Sequence, residues 1–284
     1  MLVVRMARFH LVTRAMRAAV LGVLFLAAAS GCATMTPTAR ARSLARQHRE
    51  VEAIAVLRGE LATHPDDLDA RRLLVRLLAY TSDLAGARAE VAELERRLPK
   101  GDPLPWIELG HAFELAHRFE EALASYDTAA SVAPDSPAGP REGGMRCARW
   151  GEHEEARPRL EEAIHRGARD ADVYHALGLV RLHGKDLDGA AEAYRAGLAV
   201  EPKGTENLTG LATVAVVRGD GAAALDAYTQ ILERRPGFGA AELGRAWALA
   251  RLGRKEDARR ALDHAEALGA PKENIAKQRA ALGD

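Results

Sequence analysis

Cysteine is scarce in this chain, which has only Cys32 and Cys147 among its 284 residues. Two cysteines cannot form the dense disulfide framework of a small secreted domain. Aromatic residues make up only 5% of the sequence while alanine is abundant, which disfavours a β-sandwich and favours helices that approach each other closely. The formal net charge is zero, so bulk charge gives no reason to expect a nucleic-acid partner. The composition predicts an all-helical globular protein.

The sequence also lacks an apolar run long enough to span a bilayer. Its longest run, AAVLGVLFLAAA at residues 18–29, has about 12 residues, whereas a transmembrane helix needs ~20. Four arginines precede the run, and no acidic residue occurs before Glu50. This arrangement of charge and length predicts a cleaved export signal over residues 1–31.

The signal ends in Ala29-Ser30-Gly31-Cys32, which resembles a bacterial lipobox. The resemblance implies cleavage before Cys32, acylation of its thiol and a lipid-anchored tether over residues 32–40. Each buried acyl methylene adds ~0.8 kcal/mol to membrane binding, so two or three acyl chains would make the attachment effectively permanent. Ala33 is not the aspartate that retains such proteins at the inner membrane, so the resemblance implies an outer-membrane location facing the periplasm. An ordinary secretory signal with a chance cysteine remains the alternative.

The rest of the sequence has a period of about 34 residues. An alanine recurs with a spacing of 34, and once of 35, at Ala53, Ala87, Ala122, Ala156, Ala190, Ala224 and Ala258. A proline follows most of these alanines twelve residues later, at Pro65, Pro99, Pro134, Pro202 and Pro236. A fixed period in this range is the signature of a solenoid built from repeated supersecondary units.

The clearest unit is WIELGHAFELAHRFEEALASYDTAASVAP at residues 106–134, which resembles the tetratricopeptide (TPR) motif. The resemblance covers residues 41–271 and implies an all-α solenoid, a right-handed superhelix of about six to seven helix-turn-helix repeats. Each repeat has a first helix A and a second helix B. Residues 272–284 are expected to form a helix that caps the last repeat, with Ile275 and Ala276 covering its exposed face.

The positions of small and large residues predict how the two helices of a repeat would pack. Gly110 and Gly178 in helix A, together with the periodic alanines in helix B, would allow close crossing. Gly151 and Gly219 fall at predicted turns, and the prolines would end each helix B. Large side chains are expected to fill the space around the crossings, at Trp106, Phe113, Tyr126, Tyr174, Leu187, Tyr194 and Tyr228.

No pattern in the sequence indicates an enzyme. The stretch LATVAVVRGDGAAALDAYTQIL at residues 211–232 has the apolar run and glycines of a dinucleotide-binding turn, but the repeat explains each of these features and no βαβ unit surrounds them. His175 and His183 lie on one predicted helix without a third metal ligand, and no serine stands in a nucleophile motif. We therefore expect no catalysis, no cofactor, no metal and no small-molecule substrate.

The TPR resemblance implies a concave surface formed by the A helices, which would bind a protein partner. Its apolar, aromatic and basic side chains suit an extended or helical peptide segment. Leu179 and Val217 are placed either on this surface or between neighbouring A helices. The expected partner-binding residues are Arg72, Arg76, Tyr80, Ile107, His111, Glu114, Met145, Arg149, His175, His183, Thr213, Trp247 and Arg251.

These features together predict a lipid-anchored scaffold at the outer membrane. Among lipid-anchored TPR proteins the sequence resembles the pilotin and assembly factors of pili, which implies a secretin subunit as partner. An adaptor for peptidoglycan enzymes, proteases, gliding motility or outer-membrane protein assembly is the alternative. Both of these functional assignments rest on likeness of architecture.

One repeat is irregular, with Gly143, Gly144 and Pro158 inside its predicted helices. Pro158 is expected to kink helix B or to shift its start, because proline cannot donate to the carbonyl four residues earlier. Sequence drift in one unit and a hinge over residues 137–158 both account for this pattern.

Overall fold

The computed structural model describes residues 35–283, and this part of the chain is entirely helical, with fifteen helices and no strand. The export signal, the lipobox and Cys32 lie outside the described residues. The described chain divides after Arg97 into two compact units, called unit 1 and unit 2. No helix in residues 35–283 is long and apolar enough to cross a membrane.

Helices alternate between the A and B positions of successive repeats. Unit 1 contains α1 (Pro37–Arg46), α2 (Glu50–Thr63), α3 (Leu68–Tyr80) and α4 (Leu84–Arg97). Unit 2 contains α5 (Leu104–Leu115), α6 (Phe119–Val132), α7 (Ala138–Trp150), α8 (His153–His165), α9 (Ala171–His183), α10 (Leu187–Val200), α11 (Glu206–Arg218), α12 (Gly221–Arg234), α13 (Gly239–Arg251), α14 (Lys255–Ala267) and α15 (Lys272–Leu282). The odd-numbered helices up to α13 are the A helices, and the described residues therefore hold seven A–B pairs. The apolar run at residues 211–217, which begins the apparent dinucleotide-binding turn, lies in α11.

Each helix packs against its neighbours in the chain within a unit, and neighbouring A helices also touch. In unit 2, α7 contacts α9 and α9 contacts α11, while no two B helices of the described chain pack to the same extent. The A helices of unit 2 thus form one layer and the B helices form the other. All seven periodic alanines are buried at the A–B crossings, as the period predicts.

Tyrosine rings of the B helices fit against glycines of the A helices in unit 2. Tyr194 is fully buried between α9 and α11, where a Cβ atom added to either Gly178 or Gly210 would overlap its ring. Tyr126 meets Gly110 in the same way, and Tyr228 meets Gly244. The crossings predicted at Gly110 and Gly178 are confirmed. Trp106, Tyr174, Leu187 and Tyr228 are only half-buried, because one side of each remains open to solvent.

Turns between helices follow the predicted chemistry. Gly151 and Gly219 end α7 and α11 with φ values of 86° and 73°, a backbone region in which glycine carries no Cβ penalty. Asp186 and Asp220 cap the helices that follow two of the turns by accepting backbone N–H bonds. Prolines 65, 134, 202 and 236 stand within two residues of the end of a B helix, as expected.

The irregular repeat keeps the helical phase of the others. Helix α8 runs unbroken through Pro158 and starts three residues before Ala156, just as α6 starts three residues before Ala122, so the expected shift of its start is wrong. Pro158 and Glu154 both lie on the exposed face, where water can reach the carbonyl that the proline leaves unpaired. Leu160 takes the place of the tyrosine and lies against Gly144. Residues 137–158 lie within unit 2, and the hinge stays a prediction.

The C-terminal helix α15 packs on α14 and α13. Ile275 is buried there, as predicted, and Leu282 is buried with it. Ala276 is exposed, so its predicted place in the cap is wrong: the register of α15 puts positions 275 and 282, two turns apart, on the inner face. Arg279 forms ion pairs with Asp263 and Glu266 of α14.

The glycine and tyrosine packing predicts the effect of one added methyl group. Gly178→Ala should lower the free energy of unfolding by about 1–3 kcal/mol, because the new Cβ must displace the buried Tyr194 ring. Gly59→Ala is the matched control, since Gly59 lies in α2 with no atom within 4 Å of its Cβ position and alanine is the better helix former. Urea unfolding should show opposite signs for the two variants. Equal stability of Gly178→Ala and wild type would contradict the packing.

Candidate functional site

The predicted partner-binding residues lie on A helices, and the structure leaves all of them at least partly exposed. Arg72, Arg76 and Tyr80 recur at four-residue intervals on α3 of unit 1 and so share one face of it. The other ten belong to unit 2, where α5 carries Ile107, His111 and Glu114, α7 carries Met145 and Arg149, α9 carries His175 and His183, α11 carries Thr213, and α13 carries Trp247 and Arg251. Leu179 and Val217 are exposed as well and do not pack between neighbouring A helices.

One residue from each A helix of unit 2 forms a regular series near the helix C-terminus. These residues are 34 positions apart and all exposed, and they are called the exposed row: Leu115, Arg149, His183, Val217 and Arg251. Leu115 and Val217 leave 41% and 58% of their surfaces in solvent. The row contains no acidic residue. Its members are two apolar side chains, two arginines and one histidine.

The two arginines of the exposed row are not engaged by acids of the protein. Among residues 35–283, most other arginines of unit 2 form ion pairs, whereas Arg149 and Arg251 form none. Arg251 lies beside Gly219, which follows α11, so the end of α13 adjoins the end of α11. A guanidinium without an internal acid is available for a bidentate bond to a carboxylate.

A polar network joins α5, α6 and α7 next to the start of the row. It consists of His111, Glu114, Tyr126, Glu142 and Arg146. The Tyr126 hydroxyl donates to Oε2 of Glu114 at 2.9 Å, and Nε of Arg146 lies 3.1 Å from the same oxygen. Nη2 of Arg146 donates to Oε2 of Glu142 at 3.2 Å, and Nε2 of His111 lies 3.3 Å from that oxygen. These contacts fix the relative position of the first two A helices in unit 2.

The electrostatic environment of His111 favours its charged form. Burial by itself lowers the pKa of His111, but hydrogen bonds and charges from Glu108 and Glu142 outweigh it and raise the pKa above the ordinary value of 6.5. Glu108 is fully buried, with Oε2 3.9 Å from Nδ1 of His111. The hydrogen bond to His111 is the main cause of the lowered pKa of Glu142. Protonated His111 thus adds positive charge beside Glu108 and Glu142, and Glu142 is also paired with Arg141 and Arg146.

The repeat formed by α9 and α10, two repeats further along, also has a histidine beside its B-helix tyrosine, but this histidine stands at a different position of the A helix and lacks the same pairing. His175 lies beside Tyr194 with ring centroids 5.7 Å apart, and burial lowers the pKa of His175. The position that corresponds to Glu114 is Leu182, which cannot accept a hydrogen bond from Tyr194. The Tyr194 hydroxyl consequently has no hydrogen-bond partner in the described chain, and burial raises its pKa to about 12.

Sequence reasoning located His111 and Glu114 but missed the groups that bind them. Arg146 and Glu142 are four residues apart on α7 and reach across to α5, a relation that no spacing within one repeat reveals. His183 does not approach His175 as a pair of ligands: it stacks on His153 of α8 with ring centroids 4.1 Å apart. No group of three metal-ligating side chains occurs in residues 35–283.

Comparison with known proteins agrees with this arrangement of helices. Residues 149–204 and 209–274 match a family model described as tetratricopeptide repeat. The matched ranges, which lie in unit 2, resemble tetratricopeptide repeats. No curated protein sequence matches the chain.

Solved TPR structures share the fold. YrrB, a TPR protein with an unusual peptide-binding site, is 20% identical with a TM-score of 0.60, over 66% of this chain and 97% of its own. The C-terminal part of a TPR protein from Cytophaga hutchinsonii is 17% identical with a TM-score of 0.63, over 84% of this chain and 98% of its own. PilW, a widely conserved type IV pilus biogenesis factor, is 17% identical with a TM-score of 0.53, over 69% and 91%. These likenesses establish the TPR fold.

The polar network predicts a pH dependence of stability. A folded-state pKa of His111 above the ordinary value of 6.5 stabilises the protein fully below that value, and the contribution is lost as the pH rises through the folded-state pKa. The stability difference between wild type and His111→Gln should therefore shrink as the pH is raised from 6 to 8 in urea unfolding. The exposed His165 of α8 supplies the control variant, His165→Gln. A difference that is constant over this range would contradict the role of the imidazolium.

Proposed function

We propose that this protein is a lipid-anchored TPR scaffold that binds a segment of another protein along the exposed row. The TPR fold is a scaffold for protein–protein interaction, and the observation that carries the proposal is the regular exposure of apolar and basic groups in unit 2. Leu115 and Val217 provide apolar contacts, while Arg149 and Arg251 provide guanidinium groups without internal acids. The segment that fits is therefore apolar and acidic.

Charge-assisted bonds would orient such a segment. Carboxylates of the partner would bind Arg149 and Arg251, and its apolar side chains would cover Leu115 and Val217. The solvent-exposed aliphatic groups favour a partner that removes them from water, at ~25 cal/mol for each Å² of apolar surface buried. His183 adds a further donor between the two arginines.

The place of this binding is proposed from the N-terminal sequence and from two structural neighbours. The stretch Ala29-Ser30-Gly31-Cys32 supports a lipid anchor at the outer membrane, facing the periplasm. YrrB is described as having a peptide-binding site and PilW as a pilus biogenesis factor, which supports by analogy a role in the assembly of a pilus, a secretin or a similar envelope complex.

Charge reversal in the exposed row tests the binding. Full chain carrying Arg149→Glu and Arg251→Glu should capture roughly tenfold less partner from solubilised envelopes than wild type, because each reversed charge removes a bond and adds repulsion. Arg195→Glu is the matched control, since Arg195 is exposed on the B helix α10, outside the row. Quantitative mass spectrometry of the captured proteins gives the readout. A secretin lost only in the double variant would support pilus assembly, whereas equal capture by both variants would remove the row from the proposal.

The lipid anchor is tested separately. Mass spectrometry of the purified protein should find an N-terminal Cys32 carrying acyl chains, and Cys32→Ser should move the protein from the membrane fraction to the soluble fraction. An intact signal or an unmodified Cys32 at the N-terminus would overturn the anchor without affecting the exposed row.

A further inference from the structure

A second surface of unit 2 carries a cavity that is distinct from the exposed row. The cavity has a volume of about 490 Å³, lies where α6, α7 and α8 meet, and is called the aromatic pocket. It is lined by Phe119, Glu120, Leu123, Cys147, Trp150, Glu152 and Glu155. On α7, Cys147 points away from Met145 and Arg149, because residues two positions apart lie on nearly opposite sides of an α-helix. No residue of the exposed row lines the cavity.

The pocket exists because one repeat has a small residue at a position where another has a large one. Phe113 on α5 is buried, whereas the corresponding residue of α7, 34 positions later, is Cys147. The Cys147 side chain is buried at the floor, and burial raises the pKa of its thiol, so the floor is apolar and uncharged.

Two aromatic rings form one wall of the pocket. Phe119 and Trp150 have ring centroids 4.9 Å apart with their planes inclined by 51°, and 45% of Phe119 is exposed. Other phenylalanine rings of the chain already carry an arginine, with Arg118 over Phe113 and Arg235 over Phe238. No cation of the described chain lies over Phe119 or Trp150. Their electron-rich faces attract cations.

Carboxylates surround the opening with unbalanced negative charge. Glu155 is paired with Arg159 at 2.7 Å. Within residues 35–283, the side chains of Glu120 and Glu152 form no ion pair or hydrogen bond, although both line the cavity. Apolar walls below two free carboxylates disfavour an anion and favour a long side chain that is apolar along its stem and cationic at its end.

We propose that the aromatic pocket binds an arginine side chain from an apolar segment of a partner protein. The methylene groups of the arginine pack on Leu123 and Phe119, its guanidinium plane lies against Trp150, and its N–H groups donate to Glu120 and Glu152. Arginine fits better than lysine because its planar group stacks on aromatic rings and binds carboxylates through several N–H groups at once. The apolar residues beside the arginine fill the remainder of the cavity. This surface does not depend on the exposed row or on the lipid anchor.

The test uses three acetylated and amidated tripeptides, Leu-Arg-Leu, Leu-citrulline-Leu and Leu-Asp-Leu, added to the full chain. Citrulline keeps the shape of arginine and removes its charge. The signal of the Trp150 indole N–H, followed by NMR, should shift and saturate with the arginine peptide. The citrulline peptide should bind at least fivefold more weakly, and the aspartate peptide should cause no shift.

Substitutions of residues that line the pocket distinguish specific binding in the pocket from nonspecific electrostatic attraction. Glu120→Gln with Glu152→Gln should weaken binding of the arginine peptide at least fivefold, and Phe119→Leu should weaken it while keeping apolar volume. Glu154→Gln, an exposed glutamate of α8 that does not line the cavity, should bind as wild type does. All four side chains are at least partly exposed, so thermal unfolding should confirm that the variants remain folded. Equal binding of the citrulline and arginine peptides, an unchanged affinity of the double glutamate variant, or shifts confined to Trp247 would overturn the proposal.

Discussion

The contact between a tyrosine of one helix and a glycine of the next constrains the architecture of unit 2. A ring as large as that of Tyr194 can be buried between α9 and α11 only if both A helices present no side chain at the contact, and Gly178 and Gly210 meet that requirement. The ring then sets the distance between two successive A helices. Tyr126 and Tyr228 each make one such contact, with Gly110 and Gly244. These contacts help to set how closely the A and B helices of unit 2 approach each other.

The irregular repeat shows how this constraint tolerates change. Leu160 replaces the tyrosine and packs against Gly144, while Cys147 stands where Phe113 stands one repeat earlier. Smaller side chains keep the helices in phase but fill less space. The aromatic pocket lies at the surface of this repeat, beside Leu123, Cys147, Phe119 and Trp150. The substitutions that make this repeat irregular therefore coincide with a distinct surface of the same repeat.

Periodicity made the fold predictable from the sequence, because every repeat buries the same positions. The crossings at Gly110 and Gly178, the turns at Gly151 and Gly219 and the buried alanines all follow from a 34-residue pattern. What the pattern could not predict are relations between repeats. The ion pairs of Arg146 depend on how far α7 lies from α5, and the exposure of Leu179 and Val217 depends on how closely the A helices approach at their C-terminal ends. The placement of Ala276 failed because a single short helix has no repeat to fix its register.

The position of the exposed row at the ends of the A helices has a consequence for the charges it carries. The C-terminus of a helix bears a partial negative charge, which stabilises a cation in the last turn by ~0.3–1 kcal/mol. Arg149, His183 and Arg251 all occupy such turns. The helix dipole supplies the negative charge that an acidic neighbour would otherwise provide. The glycines, tyrosines and alanines of the helix crossings are not members of the row, so a substitution at Arg149 or Val217 can alter the surface while the crossings stay the same.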